Sequence, residues 1–478
     1  MNFKIVRYTL GKLIEFEGFL MFLPIICGII YREKAIFSLG IVAAISIIAG
    51  RLIMYKKPQK TSIRAKEGFV ITVLAWFIMS LIGALPFVIS GVIKSYTDAV
   101  FETASGFTTT GASILSDLES IPHCIMFWRS FTHWIGGMGL LVFMMIFLPS
   151  SADEMNIMRA ESPGPSVEKM VPKVRETAKT LYAIYTVMTL VLIILLCITG
   201  MPIFDSICIS FGTAGTGGFG VRSDSLASYN TFSQAIVTIG MIAFGVNFNM
   251  YFLLIKKKFS SVLKCEEVRT YLIIIVVAIA LVAIGTVHGY ASVPGAVHHA
   301  AFQVASIITT TGFATQDFGL WNTLPQAVLV MIMFIGACAG STGGGLKVSR
   351  WVLYFKEIKR EVQKNIHPSA VKSIRLDYKP VNEGVIKAAN VFLMAYIFVF
   401  VASLLVISKD GFDLVTSFTS IAATMNNIGP GLGVVGPTGN FADYSDISKW
   451  VLIVDMIAGR LEILPVLICI APSTWRRK

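Results

Sequence analysis

The amino-acid sequence predicts an all-α integral membrane protein of about ten transmembrane helices. They form four fused helix–pore loop–helix repeats around one pore, plus an N-terminal helix pair. The first observation behind this is composition. Of 478 residues, 55% are hydrophobic and 14% charged, with a mean hydropathy of +0.73, values that suit a chain solvated by lipid better than a soluble multidomain protein. The second is the recurrence of apolar windows about 20 residues long, the length that crosses a bilayer. The third is a short polar run that returns between those windows. Ser105-Gly106-Phe107-Thr108-Thr109-Thr110-Gly111 is followed by Gly212-Thr213-Ala214-Gly215-Thr216-Gly217-Gly218 and by Ser306-Ile307-Ile308-Thr309-Thr310-Thr311-Gly312. A looser fourth copy reads Ala423-Thr424-Met425-Asn426-Asn427-Ile428-Gly429.

The apolar windows run as 13–31 and 35–55, then as four pairs: 68–92 with 124–148, 180–200 with 234–255, 270–288 with 325–346, and 388–408 with 447–471. Each pair brackets one Thr/Gly run. The first window follows Lys4, Arg7 and Lys12 and has the outline of a signal peptide. No small-residue cleavage site comes after it, so it reads as a signal anchor. These windows give an N-terminal helix pair at 1–60 and pore repeats at 68–150, 178–258, 270–355 and 388–471, with a basic cytoplasmic loop at 356–387.

Lys and Arg set the orientation. With the N-terminus inside, the segments 1–12, 51–67, 149–180, 256–269, 347–387 and 472–478 are cytoplasmic and hold 32 of the 40 basic residues. That is a strong positive-inside bias, which places both termini in the cytoplasm of a multi-pass protein. The same topology puts all four Thr/Gly runs on the outer side. Each comes after a segment too short to span, at 98–108, 205–215, 296–309 and 413–425. A half-helix descending into the membrane and an extended return fit that length. Irregular backbone at that depth is tolerated only where it lines a cavity or is buried in protein. Glycine permits the dihedrals that turn carbonyls inward. The copies also share an offset: Asp98, Asp205, His299 and Thr416 each stand 13 residues before Gly111, Gly218, Gly312 and Gly429. A fused and diverged tetramer is the expected source of such a pattern.

Four strings carry a resemblance: Ala104–Gly111, Trp134-Ile135-Gly136-Gly137-Met138-Gly139, Gly340-Ser341-Thr342-Gly343-Gly344-Gly345-Leu346-Lys347, and Asn426–Gly433. With the four loops in this order and Arg460, the chain resembles the Trk/Ktr/HKT superfamily of potassium transporters, most closely its TrkH type, over nearly its whole length. The resemblance implies a selectivity filter built from the carbonyls of Thr109, Thr110, Gly111, Thr216, Gly217, Gly218, Thr310, Thr311, Gly312, Asn427, Ile428 and Gly429, which would replace the hydration shell of a potassium ion. A Ser at the first filter glycine goes with sodium permeation in related proteins; here all four positions are Gly. Gly217 and Ile428 depart from the Thr found in copies one and three. The resemblance further implies a homodimer and a cytosolic nucleotide-binding regulatory subunit of the RCK type docked on the cytoplasmic loops. Anionic lipid is the competing partner for those loops.

Two motifs remain open between readings. Gly340, Ser341, Thr342, Gly343, Gly344 and Gly345 fail the phosphate-binding pattern, because Leu346 separates the last glycine from Lys347. They read as a break in the helix at mid-membrane or as close helix packing; the resemblance makes them an intramembrane gate. Arg460 lies within an apolar window, where a charge marks a pathway or a partner. The resemblance makes it a pore cation below the filter, and the competing reading is an ion pair with Asp455 or Glu462. Arg129, near the start of its window, is expected to snorkel to the outer interface.

The outer loops carry more acids than bases, among them Asp98, Glu102, Asp205 and Asp413, and a negative mouth concentrates cations. The six His and seven Cys show no metal-ligand spacing. The expected function is thus potassium uptake across a bacterial plasma membrane, with potassium as substrate, no cofactor, no enzyme activity and no nucleic-acid partner. A sodium-permeable or ion-coupled symporter of the same architecture is the alternative. An organic-solute transporter fits less well, since its repeats are usually inverted.

Overall fold

A computed structural model describes residues 1–56, 58, 64–139, 174–290, 292–368 and 372–475. Helix dominates the described residues, and the strands among them are one two-residue antiparallel pair, Arg375–Leu376 with Lys379–Pro380. In order, the helices are α1 (Phe3–Leu20), α2 (Phe22–Tyr31), α3 (Ile36–Met54), α4 (Ala65–Gly83), α5 (Leu85–Ile89), α6 (Tyr96–Phe107), α7 (His123–Gly137), α8 (Val174–Ile198), α9 (Ile203–Gly215), α10 (Thr231–Phe244), α11 (Phe248–Ile255), α12 (Glu266–Thr286), α13 (Val293–Ile308), α14 (Thr323–Met333), α15 (Val348–Ile366), α16 (Glu383–Ile407), α17 (Leu414–Met425), α18 (Asp446–Arg460) and α19 (Leu464–Ile470), with a single turn at Phe259–Leu263.

Among the described residues six helical stretches are long and apolar enough to cross a membrane: Phe3–Tyr31, Ile36–Met54, Ala65–Ile89, Ala178–Ile198, Glu266–Gly289 and Glu383–Asp410. They include the first helix of every pair. The second helix of each pair is shorter or broken. α10 and α11 meet at 90°, α14 stops at Met333, and α18 ends at Arg460 before α19 begins. α7 ends at Gly137, and positions 140–173, which hold most of the expected loop at 149–180, lie outside the described residues. Prolines account for three of the breaks. Pro24, Pro86 and Pro465 each clash with the carbonyl four residues back, and α1, α4 and α18 end within a residue or two of that point. At the second break the carbonyl of Gly83 accepts from Trp128 Nε1 at 3.0 Å.

Lipid-facing and pore-facing sides separate cleanly. Ile194, Ile198, Val276, Ile284, Met394, Phe398 and Leu405 are exposed on α8, α12 and α16, as helices in hydrocarbon can leave them. The buried large side chains, Trp76, Trp128, Phe101, Phe107, Phe219 and Phe302 among them, gather around the four short helices α6, α9, α13 and α17. Those four run 12, 13, 16 and 12 residues. At about 1.5 Å per residue they reach well short of the roughly 30 Å hydrocarbon core.

Candidate functional site

Each short helix ends in the same way. The residue two before the loop glycine has left-handed dihedrals: Thr109 (φ 55°), Thr216 (53°), Thr310 (59°) and Asn427 (55°). The glycines do the same: Gly111 (79°), Gly218 (77°), Gly312 (88°) and Gly429 (100°). A β-branched residue at positive φ is an outlier that costs on the order of 1–2 kcal/mol. Two backbone bonds of the Schellman type hold it there. Thr110, Gly217, Thr311 and Ile428 each donate to the carbonyl five residues back at 2.8 Å, and the preceding residues donate three back at 3.1–3.2 Å. Four unlike sequences thus adopt one backbone path.

The four paths close into a ring. A Cβ built on Gly111 would lie 2.0 Å from the Gly217 carbonyl oxygen, one on Gly218 1.9 Å from that of Thr311, and one on Gly312 2.0 Å from that of Ile428; one on Gly429 would lie 2.9 Å from that of Thr110. Each glycine therefore abuts the middle residue of the next copy, and the fourth abuts the first. Only a residue without a side chain allows this approach. The seam between copies four and one is tied by Asn427 Nδ2 to Thr110 Oγ1 (2.9 Å), Phe441 N to Ser113 O (2.9 Å) and Lys449 Nζ to Asp98 (2.5 Å). On the side away from the glycine-rich segment after α14, the ring glycines line a cavity of about 150 Å³ together with loop residues of all four copies. The C-termini of four helices converge on the ring, and their partial negative charge favours a cation there.

The glycine-rich segment after α14 packs directly against this ring. Gly336, Gly340 and Gly345 have φ of 75°, 73° and 74°, and it runs as a loop between α14 and α15. Gly344 N donates to Thr310 Oγ1 (2.6 Å), and Thr342 Oγ1 to Phe244 O (3.2 Å). Phe248 N donates to Gly340 O (2.9 Å) and Cys338 N to Gly245 O (3.1 Å). The break between α10 and α11 is therefore satisfied by this loop, as irregular backbone at membrane depth requires. Glu267 of α12 takes the amides of Ala339 (2.6 Å) and Ser349 (3.2 Å).

Arg460 reaches the same place. Its guanidinium donates to Thr342 O (2.7 Å) and to the carbonyls of Gly136 and Gly137, the latter at 2.6 Å. It ties the loop to the end of α7. Of its two expected acidic partners, Glu462 pairs with Arg350 of α15 and Asp455 accepts from Ser403 Oγ at 2.8 Å.

Arg129 is a correction. It does not snorkel: it is 2% exposed and bonds Glu102 (2.6 Å), Gly220 O (3.0 Å) and Ser113 Oγ (3.2 Å), with its guanidinium 3.6 Å from the Phe219 ring. Glu102 lies on α6 and is fully buried, also taking Ile114 N at 3.0 Å. The pairing of an Arg near the start of its window with an acid 27 residues earlier has no sequence signature. The four equal-offset residues also prove to be anchors of the short helices. Asp98 holds Lys449, Asp205 accepts from Tyr229 Oη (2.7 Å), His299 Nδ1 meets Thr315 Oγ1 (3.0 Å), and Thr416 bonds Asp413. Among the described residues no group of three His, Cys, Asp or Glu could hold a metal ion.

The family described as TrkH, cation transport protein, matches residues 34–477. This chain belongs to the TrkH family. It is 38% identical over 487 residues to the Trk system potassium uptake protein TrkH of Salmonella typhimurium and 37% identical to that of Escherichia coli K12, covering 100% of each chain. The crystal structure of the potassium transporter TrkH from Vibrio parahaemolyticus superposes with a TM-score of 0.90 at 33% identity, again with 100% of both chains covered. The helical membrane architecture expected from the sequence is that of this family.

Proposed function

We propose that this chain is a potassium-uptake protein of a bacterial plasma membrane, conducting through the ring of Gly111, Gly218, Gly312 and Gly429. The observation that carries this is the shared left-handed pair of dihedrals in all four copies, closing head to tail around one axis. In this reading the carbonyls of Thr109–Gly111, Thr216–Gly218, Thr310–Gly312 and Asn427–Gly429 replace the water lost by the entering ion. Four helix C-termini aimed at the ring lower the cost of a bare cation. The driving force is the membrane potential, about 2.3 kcal/mol per charge per 100 mV. The full-length identity to proteins named for potassium uptake supports the substrate.

The remaining parts of the reading come from position. Gly340–Gly345, bonded to Thr310 on one side and Arg460 on the other, acts as the gate beneath the ring. The repeats are those bounded at 68–150, 178–258, 270–355 and 388–471, after the helix pair at 1–60. Both termini face the cytoplasm, where the basic segment 356–387 and its neighbours meet an RCK-type subunit, and two copies form a homodimer in the lipid. The test is rubidium uptake into proteoliposomes, with sodium as competitor. Uptake driven by potential alone, and little affected by sodium, is the expected result. Absence of rubidium flux under any gradient would overturn the proposal; a requirement for a sodium or proton gradient would make the chain a symporter.

A further inference from the structure

Behind the ring, three copies brace the middle residue with their own side chains. Thr110 Oγ1 meets Thr108 Oγ1 at 2.8 Å, and Thr311 Oγ1 meets Thr309 Oγ1 at 2.7 Å. Copy four uses the buried Ile428, with Asn427 Nδ2 bonded to Met456 O at 2.9 Å. Copy two has Gly217, and at the place of Thr108 it has Gly215, so it has nothing of its own to offer. The space is filled from another copy. A Cβ on Gly217 would lie 2.4–2.6 Å from Cγ, Nδ1 and Cδ2 of His133, on α7. That imidazole is fully buried, its centroid 4.0 Å from that of the Phe219 ring with the two planes tilted by 30°. Its Nε2 faces the Phe219 N–H at 3.2 Å, and its Nδ1 faces the Gly106 carbonyl at 2.8 Å. A backbone N–H can only donate and a carbonyl can only accept. Nε2 must therefore be bare and Nδ1 must carry the proton, so a single neutral tautomer uses both nitrogens.

We infer that His133 is a positioning residue for ion discrimination, the strut that fixes copy two of the ring against the short helix of copy one. It stands where copies one and three place a threonine. This rests on the ring being the selectivity filter. The absence of a side chain at Gly217 is then a consequence of the strut: the site holds either the imidazole or a Cβ, but not both. The strut spans the Gly106 carbonyl on α6 and the amide next after Gly218, so its loss frees the carbonyls of copy two to shift.

The experiment compares rubidium and sodium uptake per folded molecule for His133→Ala, Gly217→Ala and the double variant, with Gly111→Ser alongside. Each single change is expected to lower the rubidium-to-sodium ratio at least about fivefold, as the loss of one buried hydrogen bond's positioning would. The double variant should recover part of that loss, because the new Cβ occupies the vacated space; this non-additivity is what a merely structural role would not give. If His133→Ala folds poorly, His133→Asn takes its place, since it keeps a donor for Gly106 O and withdraws the acceptor from Phe219 N. A wild-type ratio in the folded His133 variant, with a lowered ratio in Gly111→Ser, overturns the strut and leaves the filter standing. Wild-type ratios in both would remove the filter itself.

Discussion

A Cβ added to Gly111, Gly218 or Gly312 lands within 2.0 Å of a backbone carbonyl oxygen of the next copy, whereas at Gly429 the nearest oxygen is 2.9 Å away. Backbone cannot step aside as a flexible side chain can. Gly111→Ser and Gly429→Ser are both expected to weaken potassium-over-sodium discrimination, with Gly111→Ser the more damaging of the two and the poorer in folded yield. Competing uptake measures it, and unchanged selectivity in both variants would take these loops out of the filter. Arg460 poses a different residue-scale question, because its guanidinium bonds to Thr342 O and Gly137 O join two elements below the ring. Arg460→Gln keeps much of the volume but can span only one of those contacts. Faster uptake per molecule at near-normal amounts is the expected outcome. Slower uptake at equal amounts would show that the guanidinium neither restrains the loop nor opposes the ion.

At the scale of elements, the glycine-rich loop is held by bonds to α10, α11, α12, α18 and the ring residue Thr310. Shortening Gly340–Gly345 removes its bulk from beneath the ring, and resting flux should rise. Alanine at Gly340 and Gly345 asks for the same result by another route. Each must hold a left-handed conformation at about 1 kcal/mol, so the loop should leave its seat more often. Wild-type resting flux in well-folded variants of both kinds would exclude a gate. The short helix α17 offers a separate test at its N-terminal end. Asp413 caps it, accepting from the amides of Val415 and Thr416, each at 3.1 Å. The Thr416 hydroxyl, with those amides, holds the Asp413 carboxyl below its ordinary value. A depressed value means that the contribution to stability is present above the ordinary carboxylate range and is lost as pH falls through the lowered one. Asp413→Ala should cost about 1 kcal/mol near neutrality. The gap to wild type, read by thermal unfolding in detergent, should narrow once the pH drops below about 4. A gap that stays constant down to about pH 2 would mean the cap acts without its charge.

For the whole molecule, ring closure matters most at the seam between copies four and one, where the chain does not run on. Lys449, 5% exposed, meets Asp98 there at 2.5 Å. Asp98→Asn leaves a nearly buried ammonium without its counter-charge and should cost about 2 kcal/mol. Adding Lys449→Met should return much of that, since removing both charges leaves nothing to solvate. Equal stability of the single and double variants would show that the seam does not depend on this pair. At this scale the ring tolerates four diverged sequences because its closest approaches, each glycine against a carbonyl oxygen of the next copy, are between backbone atoms.

Local patterns in the chain pointed to lipid as the solvent of this protein and picked out the four Thr/Gly runs whose glycines meet in the ring. Hydropathy over 20 residues, the bias of Lys and Arg, and the recurrence of Thr and Gly are all local in the chain, and local signals suffice for them. The sequence also marked the special residues Arg460 and Gly340–Gly345, through a charge and a glycine cluster where apolar residues are the rule. The features it left open were decided by partners distant in the chain. Arg129 reads as an interfacial side chain until Glu102 is placed beside it. Gly217 reads as a lapse in the motif until the imidazole of His133, 84 positions earlier, fills its space. The second helix of each pair reads as a continuous span, because apolar composition does not reveal that the amides and carbonyls freed by a break find partners in another repeat. Hydrophobicity is summed along the chain, whereas hydrogen bonds and excluded volume are settled between segments, so these last features exist only in the folded molecule.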